Sequence, residues 1–300
     1  MSLHDPALAQ VCLDLLITRP DGIYLDATVG PGGHSEALLG RLGGDARLLA
    51  FDWDSEVISL AQERLRAYAA QIRFFHTPYS RISAVLEEEA IPELDGILAD
   101  FGLSSTQLSE AERGFSFQLP GPLDMRFDRR GRTTAANLLN TASADELERI
   151  FRTYGEERYA RRVARRICEV RKREKLLTTD QLAEVVRRAV PTGKHRRIDK
   201  CTRVFQALRI AVNNELAELE RFLAVAPGCL RIGGRIVCLS YHSLEDRATK
   251  LAFRAQSVAD PDRSWLLRVL TRKPIRPTRE EIHAHRTWRS ARLRAAERVA

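Results

Sequence analysis

Cysteine is scarce and scattered. The five residues, Cys12, Cys168, Cys201, Cys229 and Cys238, are odd in number and form no Cys-x-x-Cys pair. Neither a zinc site nor a redox dithiol is indicated, so no metal is expected. Buried or incidental thiols in a reducing compartment fit this usage better. Long apolar runs are also missing. No stretch approaches the ~18 continuous apolar residues of a membrane helix, and Asp5, Asp14 and Arg19 interrupt the first twenty residues. No membrane partner is expected, and the expected location is the cytoplasm. There is no internal repeat, and no low-complexity tract beyond arginine-rich stretches.

What the chain does have is positive charge and enough apolar material for a core. Its 300 residues are 44% hydrophobic, sufficient for one ample domain with a smaller attached unit. The formal net charge of +8 favours a polyanionic partner.

The first third alternates short apolar runs with helical stretches, the pattern of a parallel sheet with crossover helices. Predicted strands are Ile23 to Ala27, Leu48 to Phe51, Ile72 to Phe75 and Gly96 to Ala99, and Arg235 to Ser240 follows much later. In open α/β sheets ligands bind at the carboxyl ends of such strands. Between them, from about Gly102 to Lys200, the chain becomes strongly charged. Ser143 with Glu146 and Thr178 with Gln181 read there as capping boxes. The segment Glu156 to Lys175 is predicted helical, with Tyr159, Val163, Ile167 and Val170 on one face and Arg161, Arg162, Arg165 and Arg166 among the residues covering the rest. A single further helix is expected from Thr202 to Val225, its apolar stripe packing against the sheet. The predicted organisation is an α/β domain from 1–104 and 201–300, interrupted by a helical insertion at 105–200 assigned to RNA or substrate recognition.

Candidate site residues sit at the strand tips. Leu25 to Ser35 is a strand, a Gly-rich turn and a helix start, in which glycines let the backbone approach a ligand and the helix N-terminus favours an anionic group. Asp52 ends the second strand, either facing a ribose diol or standing as a solvated loop acid. Asp100 ends the fourth, where an acceptor orients a reacting exocyclic amine, or bonds a cofactor, or caps a turn. The loop Glu112 to Asp128 offers aromatics for stacking on a base, although a satellite core is the preferred reading. The stretch Tyr241 to Arg247 puts His242 and Ser243 beside the presumed pocket as substrate-positioning groups; no Gly-x-Ser-x-Gly elbow marks a hydrolase.

Taken together these stretches resemble the bacterial 16S ribosomal RNA cytosine-N4 methyltransferase family, RsmH or MraW. The similar segments are GPGGHS at Gly30, DFGLSSTQL at Asp100, ERGFSF at Glu112, GPLDMRFD at Gly121, YGEERYA at Tyr154, TTDQLAEVV at Thr178, TRVFQALRIAVNNEL at Thr202 and YHSLEDR at Tyr241, in order across nearly the whole chain. The resemblance implies a class I, Rossmann-like methyltransferase sheet with a helical insertion and S-adenosylmethionine as cofactor. It implies a decoding-centre (P-site) cytosine of 16S rRNA, within the small ribosomal subunit, as target. Cofactor contacts would fall on Gly32, Gly33, His34, Asp52, Tyr79, Asp100 and Gln107, with Tyr79 standing where the family often has Phe. RNA contacts are assigned to Arg161, Arg162, Arg165, Arg166 and Arg203, with the C-terminal Arg286, Arg289, Arg292, Arg294 and Arg298 adding to the phosphate-facing charge, the alternative for any one of these arginines being a solvated helix face. Two segments depart from the family: Asp199-Lys200-Cys201 before Thr202 replaces His-Pro-Ala, and His285-Arg286-Thr287 replaces Asn-Pro-Arg.

Two other functions fit parts of the sequence. An NAD-dependent dehydrogenase would share the Gly turn and Asp52 but explains neither the basic insertion nor the Asp100 loop. A non-catalytic ribosome-assembly factor would use the arginine face and keep a vestigial pocket. Methylation at cytosine C5 needs a nucleophilic cysteine, typically in Pro-Cys or Thr-Cys, and neither dipeptide occurs.

Overall fold

The computed structural model describes residues 6–191 and 199–300. Residues 192–198 of the expected insertion lie outside that range. The chain forms two compact units, one of Met1–Gly102 with Leu216–Ala300 and one of Leu103–Glu215.

The first unit is a seven-stranded sheet of order β3-β2-β1-β4-β5-β7-β6. Its strands are β1 (Ile23–Asp26), β2 (Arg47–Asp52), β3 (Ile72–His76), β4 (Leu94–Asp100), β5 (Leu230–Ser240), β6 (Leu267–Val269) and β7 (Arg292–Arg298). The first five run parallel, and β7 pairs antiparallel with both β5 and β6. The order reverses between β1 and β4, the switch point at which α/β sheets open a crevice. Strand periodicity decides the two cores. Leu25, Leu49, Phe51, Ile97, Ala99, Ile236 and Cys238 bury one face of the sheet. Tyr24, Leu48, Ala50, Leu98, Val237 and Leu239 bury the other. Helices α1 (Ala9–Leu16), α2 (Gly33–Leu39) and α3 (Ser55–Arg64) cover the second face. The first is covered by α4 (Ile82–Glu88), by Leu219, Phe222 and Leu223 of α11 (Glu215–Val225), and by Phe253 of α12 (Ser243–Ala255).

The second unit holds α5 (Ser105–Ser109), α6 (Ala135–Thr141), α7 (Ala144–Thr153), α8 (Ala160–Val170), α9 (Thr179–Ala189) and α10 (Thr202–Asn213); the short α13 (Arg279–Ala284) returns to the sheet unit. The expected capping box at Thr178 is present, with Gln181 Oε1 accepting from Thr178 N at 3.1 Å, whereas Ser143 is a single N-cap of α7 instead of a box, its hydroxyl accepting from Glu146 N at 3.1 Å.

The expected single helix over Thr202 to Val225 is two helices. Asn214 sits between them in the left-handed region at φ 53°, which asparagine tolerates better than most residues. The first half, α10, packs on α6 and α7 inside the helical unit instead of on the sheet. Helix α8 is also shorter than the expected Glu156 to Lys175, because Glu156 at φ 48° lies outside helical geometry.

The loop rich in glycine and aromatics forms a satellite core. Phe115 and Phe127 stack at 5.5 Å, and Leu123 and Met125 are buried with them. Arg113, 1% exposed, donates from Nη2 to the carbonyls of Arg126 (3.0 Å) and Phe127 (3.2 Å). Asn213 at the end of α10 clamps the same loop, its Oδ1 accepting from Phe127 N at 2.7 Å and its Nδ2 donating to Met125 O at 2.7 Å.

Candidate active site

Three strand tips of the sheet unit converge at the switch point. After β1 the chain turns through Gly30 (φ 52°) and Gly32 (φ 87°) into α2. A Cβ on Gly32 would lie 3.1 Å from Leu65 Cδ1, so this turn needs glycine both for its backbone angles and for space. Beneath the turn Asp26 is buried; it accepts from Thr28 N (3.1 Å) and from the Ser35 hydroxyl (2.6 Å). Burial raises its pKa against the lowering effect of the Ser35 bond.

Asp52 at the tip of β2 braces the turn from the side. One oxygen accepts from Gly30 N at 3.0 Å and the other from Asp54 N at 3.0 Å. Desolvation outweighs these two bonds and pushes its pKa up to about 7. The Tyr79 ring is buried edge-on among Trp53 (5.3 Å), Phe101 (5.8 Å) and Phe222 (5.2 Å).

Asp100 ends β4. Its N–H donates to Thr28 Oγ1 at 2.6 Å, which locks the tip of β4 to the glycine turn. Its carboxylate Oδ2 lies 3.3 Å from His34 Nε2 and accepts from the Tyr241 hydroxyl at 3.4 Å. Burial, followed by the neighbouring Asp100 charge, holds the Tyr241 pKa well above that of a free phenol, so the hydroxyl remains a donor. Gly102, at φ 135°, gives the Tyr241 ring its room; a Cβ there would stand 3.1 Å from Tyr241 Cδ2.

Among the described residues, Asp100 Oδ1, both ring nitrogens of His34, Thr77 Oγ1 and Ser240 Oγ are buried without a hydrogen-bond partner. Folded proteins seldom leave such atoms unmatched, and a group of them along one edge of a sheet marks a place for a polar ligand. A nucleoside-bearing cofactor fits these residues. The glycine turn admits a close approach, Asp52 offers acceptors for a diol, and the unmatched atoms offer donors and acceptors.

The remaining sequence candidates have other partners. His242 caps α12, its Nδ1 accepting from Glu245 N at 3.4 Å and its Nε2 lying 2.9 Å from Glu245 Oε1; Ser243 is the first residue of that helix. Gln107, in the helical unit, is buried and closes a capping box with Ser104 on α5. Arg161, Arg162 and Arg165 are exposed on α8, Arg166 pairs with Glu169 at 3.0 Å, and Arg203 Nη1 donates to Glu156 O at 3.0 Å.

The C-terminal arginines divide, and the phosphate-facing expectation is corrected for part of them. Arg286 and Arg289 are exposed. Arg292 and Arg294, however, reach Asp246 at 3.3 and 2.6 Å, and Arg298 donates to Gly228 O at 3.1 Å. These three lie on a strand that the sequence reading missed, where they tie β7 to α12 and to the start of β5. Asp26, Thr28 and Tyr241 are further site residues not singled out in advance.

A family model described as the MraW methylase family matches residues 1–299. The chain belongs to that family. Among its relatives, proteins named "Ribosomal RNA small subunit methyltransferase H" from Cyanothece sp. and Thermobifida fusca are 48% and 46% identical to it, each over 99% of this chain and over 95% and 93% of their own lengths. One of the same name from Trichlorobacter lovleyi is 43% identical over 99% of this chain and 98% of its own. Likeness to solved structures is looser; NSun6 from Pyrococcus horikoshii with SFG aligns at a TM-score of 0.47 and 13% identity, over 98% of this chain and 53% of that one. Membership makes this chain an S-adenosylmethionine-dependent methyltransferase, in agreement with the fold and cofactor expected from the sequence. No helix among the described residues is long and apolar enough to cross a membrane.

Proposed function

We propose that this enzyme methylates small-subunit ribosomal RNA on the exocyclic N4 amine of a cytosine, the decoding-centre (P-site) cytosine of 16S rRNA. The substrate rests on the name its relatives share and on the chain's positive charge. The choice of atom rests on Asp100, a carboxylate with one oxygen held and the other buried without a partner at the switch point.

S-adenosylmethionine, when bound, supplies a methyl group on a positively charged sulfur. The residues of the chain do the positioning. Asp52 would receive the ribose hydroxyls, and the turn at Gly32 and Gly33 would let the donor's polar end close onto the backbone. The Tyr241 hydroxyl holds Oδ2 of Asp100, with His34 Nε2 3.3 Å from the same oxygen, leaving Oδ1 to accept a hydrogen bond from the amine. That bond would orient the nitrogen lone pair for attack and counter the positive charge that grows on N4 as the N–C bond forms and the sulfur–carbon bond breaks, the extra proton on N4 then leaving to solvent.

Asp100→Ala and Asp100→Asn test this assignment. At saturating cofactor, methyl transfer to small-subunit RNA is expected to fall at least about 100-fold, while calorimetry still detects S-adenosylhomocysteine binding. Undiminished turnover in either variant would remove Asp100 from the chemistry.

A further inference from the structure

The helical unit carries a groove of about 590 Å³ between α8 and the end of α9. Six arginines line it: Arg158, Arg161, Arg162, Arg165 and Arg166 from α8 and the residues before it, and Arg188 from α9. On α8 they recur at three- and four-residue steps, which puts them along one stripe of the helix. Two are neutralised, Arg166 by Glu169 and Arg188 by Glu184. Arg161, Arg162 and Arg165 have no carboxylate partner among the described residues, and all three are exposed. The groove also contains the half-buried Tyr159, whose ring lies 5.9 Å from the Arg158 guanidinium.

From this lining we infer that the groove is a binding site for an unpaired stretch of the RNA substrate. The inference rests on the reading of the chain as an RNA methyltransferase and gives a second part of the substrate a place. Three unpartnered guanidiniums within two helical turns repel one another unless anions are shared among them, and phosphate oxygens suit their planar forks. The tyrosine decides between strand types. Single-stranded sites combine a basic groove that follows the backbone with aromatic rings on which unpaired bases stack. A duplex is read from outside, through its shallow minor groove and its phosphates, and has no use for a ring set among arginines in a recess. An acidic protein segment would offer carboxylates to the same guanidiniums but no base to stack on the Tyr159 ring in the groove.

The test is fluorescence anisotropy with the full-length chain and a labelled, unstructured single-stranded RNA, titrated at several salt concentrations. Replacing Arg161, Arg162 and Arg165 together by alanine should remove three phosphate contacts. The slope of log affinity against log salt should become shallower by about 2, so the wild type loses about 20-fold more affinity than the variant between about 50 and about 200 mM salt. The triple lysine variant should keep the wild-type slope and bind more weakly, since charge is retained and the fork is lost. Tyr159→Ala should weaken binding without changing the slope. Melting curves and S-adenosylhomocysteine affinity should match the wild type in all three.

An unchanged slope in the alanine variant overturns the proposal, as does equal competition by a perfect duplex or by a polyglutamate peptide. Because these arms measure binding, they stand even if the wild type methylates a different atom or none. Conversely, a failed groove leaves methyl transfer by the wild type intact.

Discussion

Asp52 offers a prediction that pH alone can read. Its carboxylate is the acceptor assigned to the cofactor ribose, and burial sets its pKa at about 7. An ionised Asp52 accepts from two hydroxyls, and each hydrogen bond to a charged group is worth about 1.5–3 kcal/mol; once protonated it offers a weaker acceptor and a competing donor. The ionised fraction falls from roughly nine-tenths at about pH 8 to roughly one-tenth at about pH 6. The dissociation constant for S-adenosylhomocysteine is therefore expected to rise about 10-fold over that interval. The linked effect on folding has a definite sign. A carboxyl whose folded pKa lies above its unfolded value stabilises the fold when protonated. That contribution is complete below about pH 4 and is lost as pH rises through about 7. Asp52→Asn should flatten both dependences and bind cofactor at pH 8 more weakly than the wild type. Isothermal titration at several pH values, wild type beside Asp52→Asn to subtract titration of the ligand itself, is the assay. A wild-type profile parallel to that of the asparagine variant refutes the assignment of Asp52 to the ribose.

Three substitutions probe the scaffold. Gly32→Ala forces a Cβ into a left-handed position against Leu65; a loss of about 1–2 kcal/mol in urea unfolding and a weaker cofactor complex are expected, and wild-type affinity would show that the turn relaxes. Arg113→Ala strips two carbonyls in the satellite core of their donor; a cost of about 3 kcal/mol or more is expected, with destabilisation below about 1 kcal/mol counting against the buried geometry. Among the described residues, Arg294→Ala leaves the Asp246 carboxylate with the more distant Arg292 alone. It should lower the urea midpoint while single-stranded RNA affinity and its salt slope stay unchanged; a drop in the slope would return this arginine to the RNA surface.

The tips of β1, β2 and β4 were legible because each is a run of apolar residues stopped by an acid, and this is how Asp52 and Asp100 were found. What escaped depends on partners distant in the chain. Thr28 serves the site by accepting from the backbone of Asp100, 72 residues away, and Tyr241 by donating to the Asp100 carboxylate, 141 residues away. No local pattern marks either. Strand β7, read only as arginines, alternates buried Leu293 and Ala295 on one face with Ala296 on the other, and small alanines give a weak periodic signal. The break at Asn214 was hidden because apolar spacing continues through it, although the two halves bury themselves in different units. His242 looked chemical by type and caps a helix by position.

The most direct measurement is nucleoside mass spectrometry of 16S rRNA after incubation of unmodified small subunits with the enzyme and methyl-labelled S-adenosylmethionine. Label recovered as N4-methylcytidine at a single decoding-centre position, and lost with Asp100→Ala, is the expected result. Label on cytosine C5, on a ribose hydroxyl, or nowhere in the RNA would contradict the account.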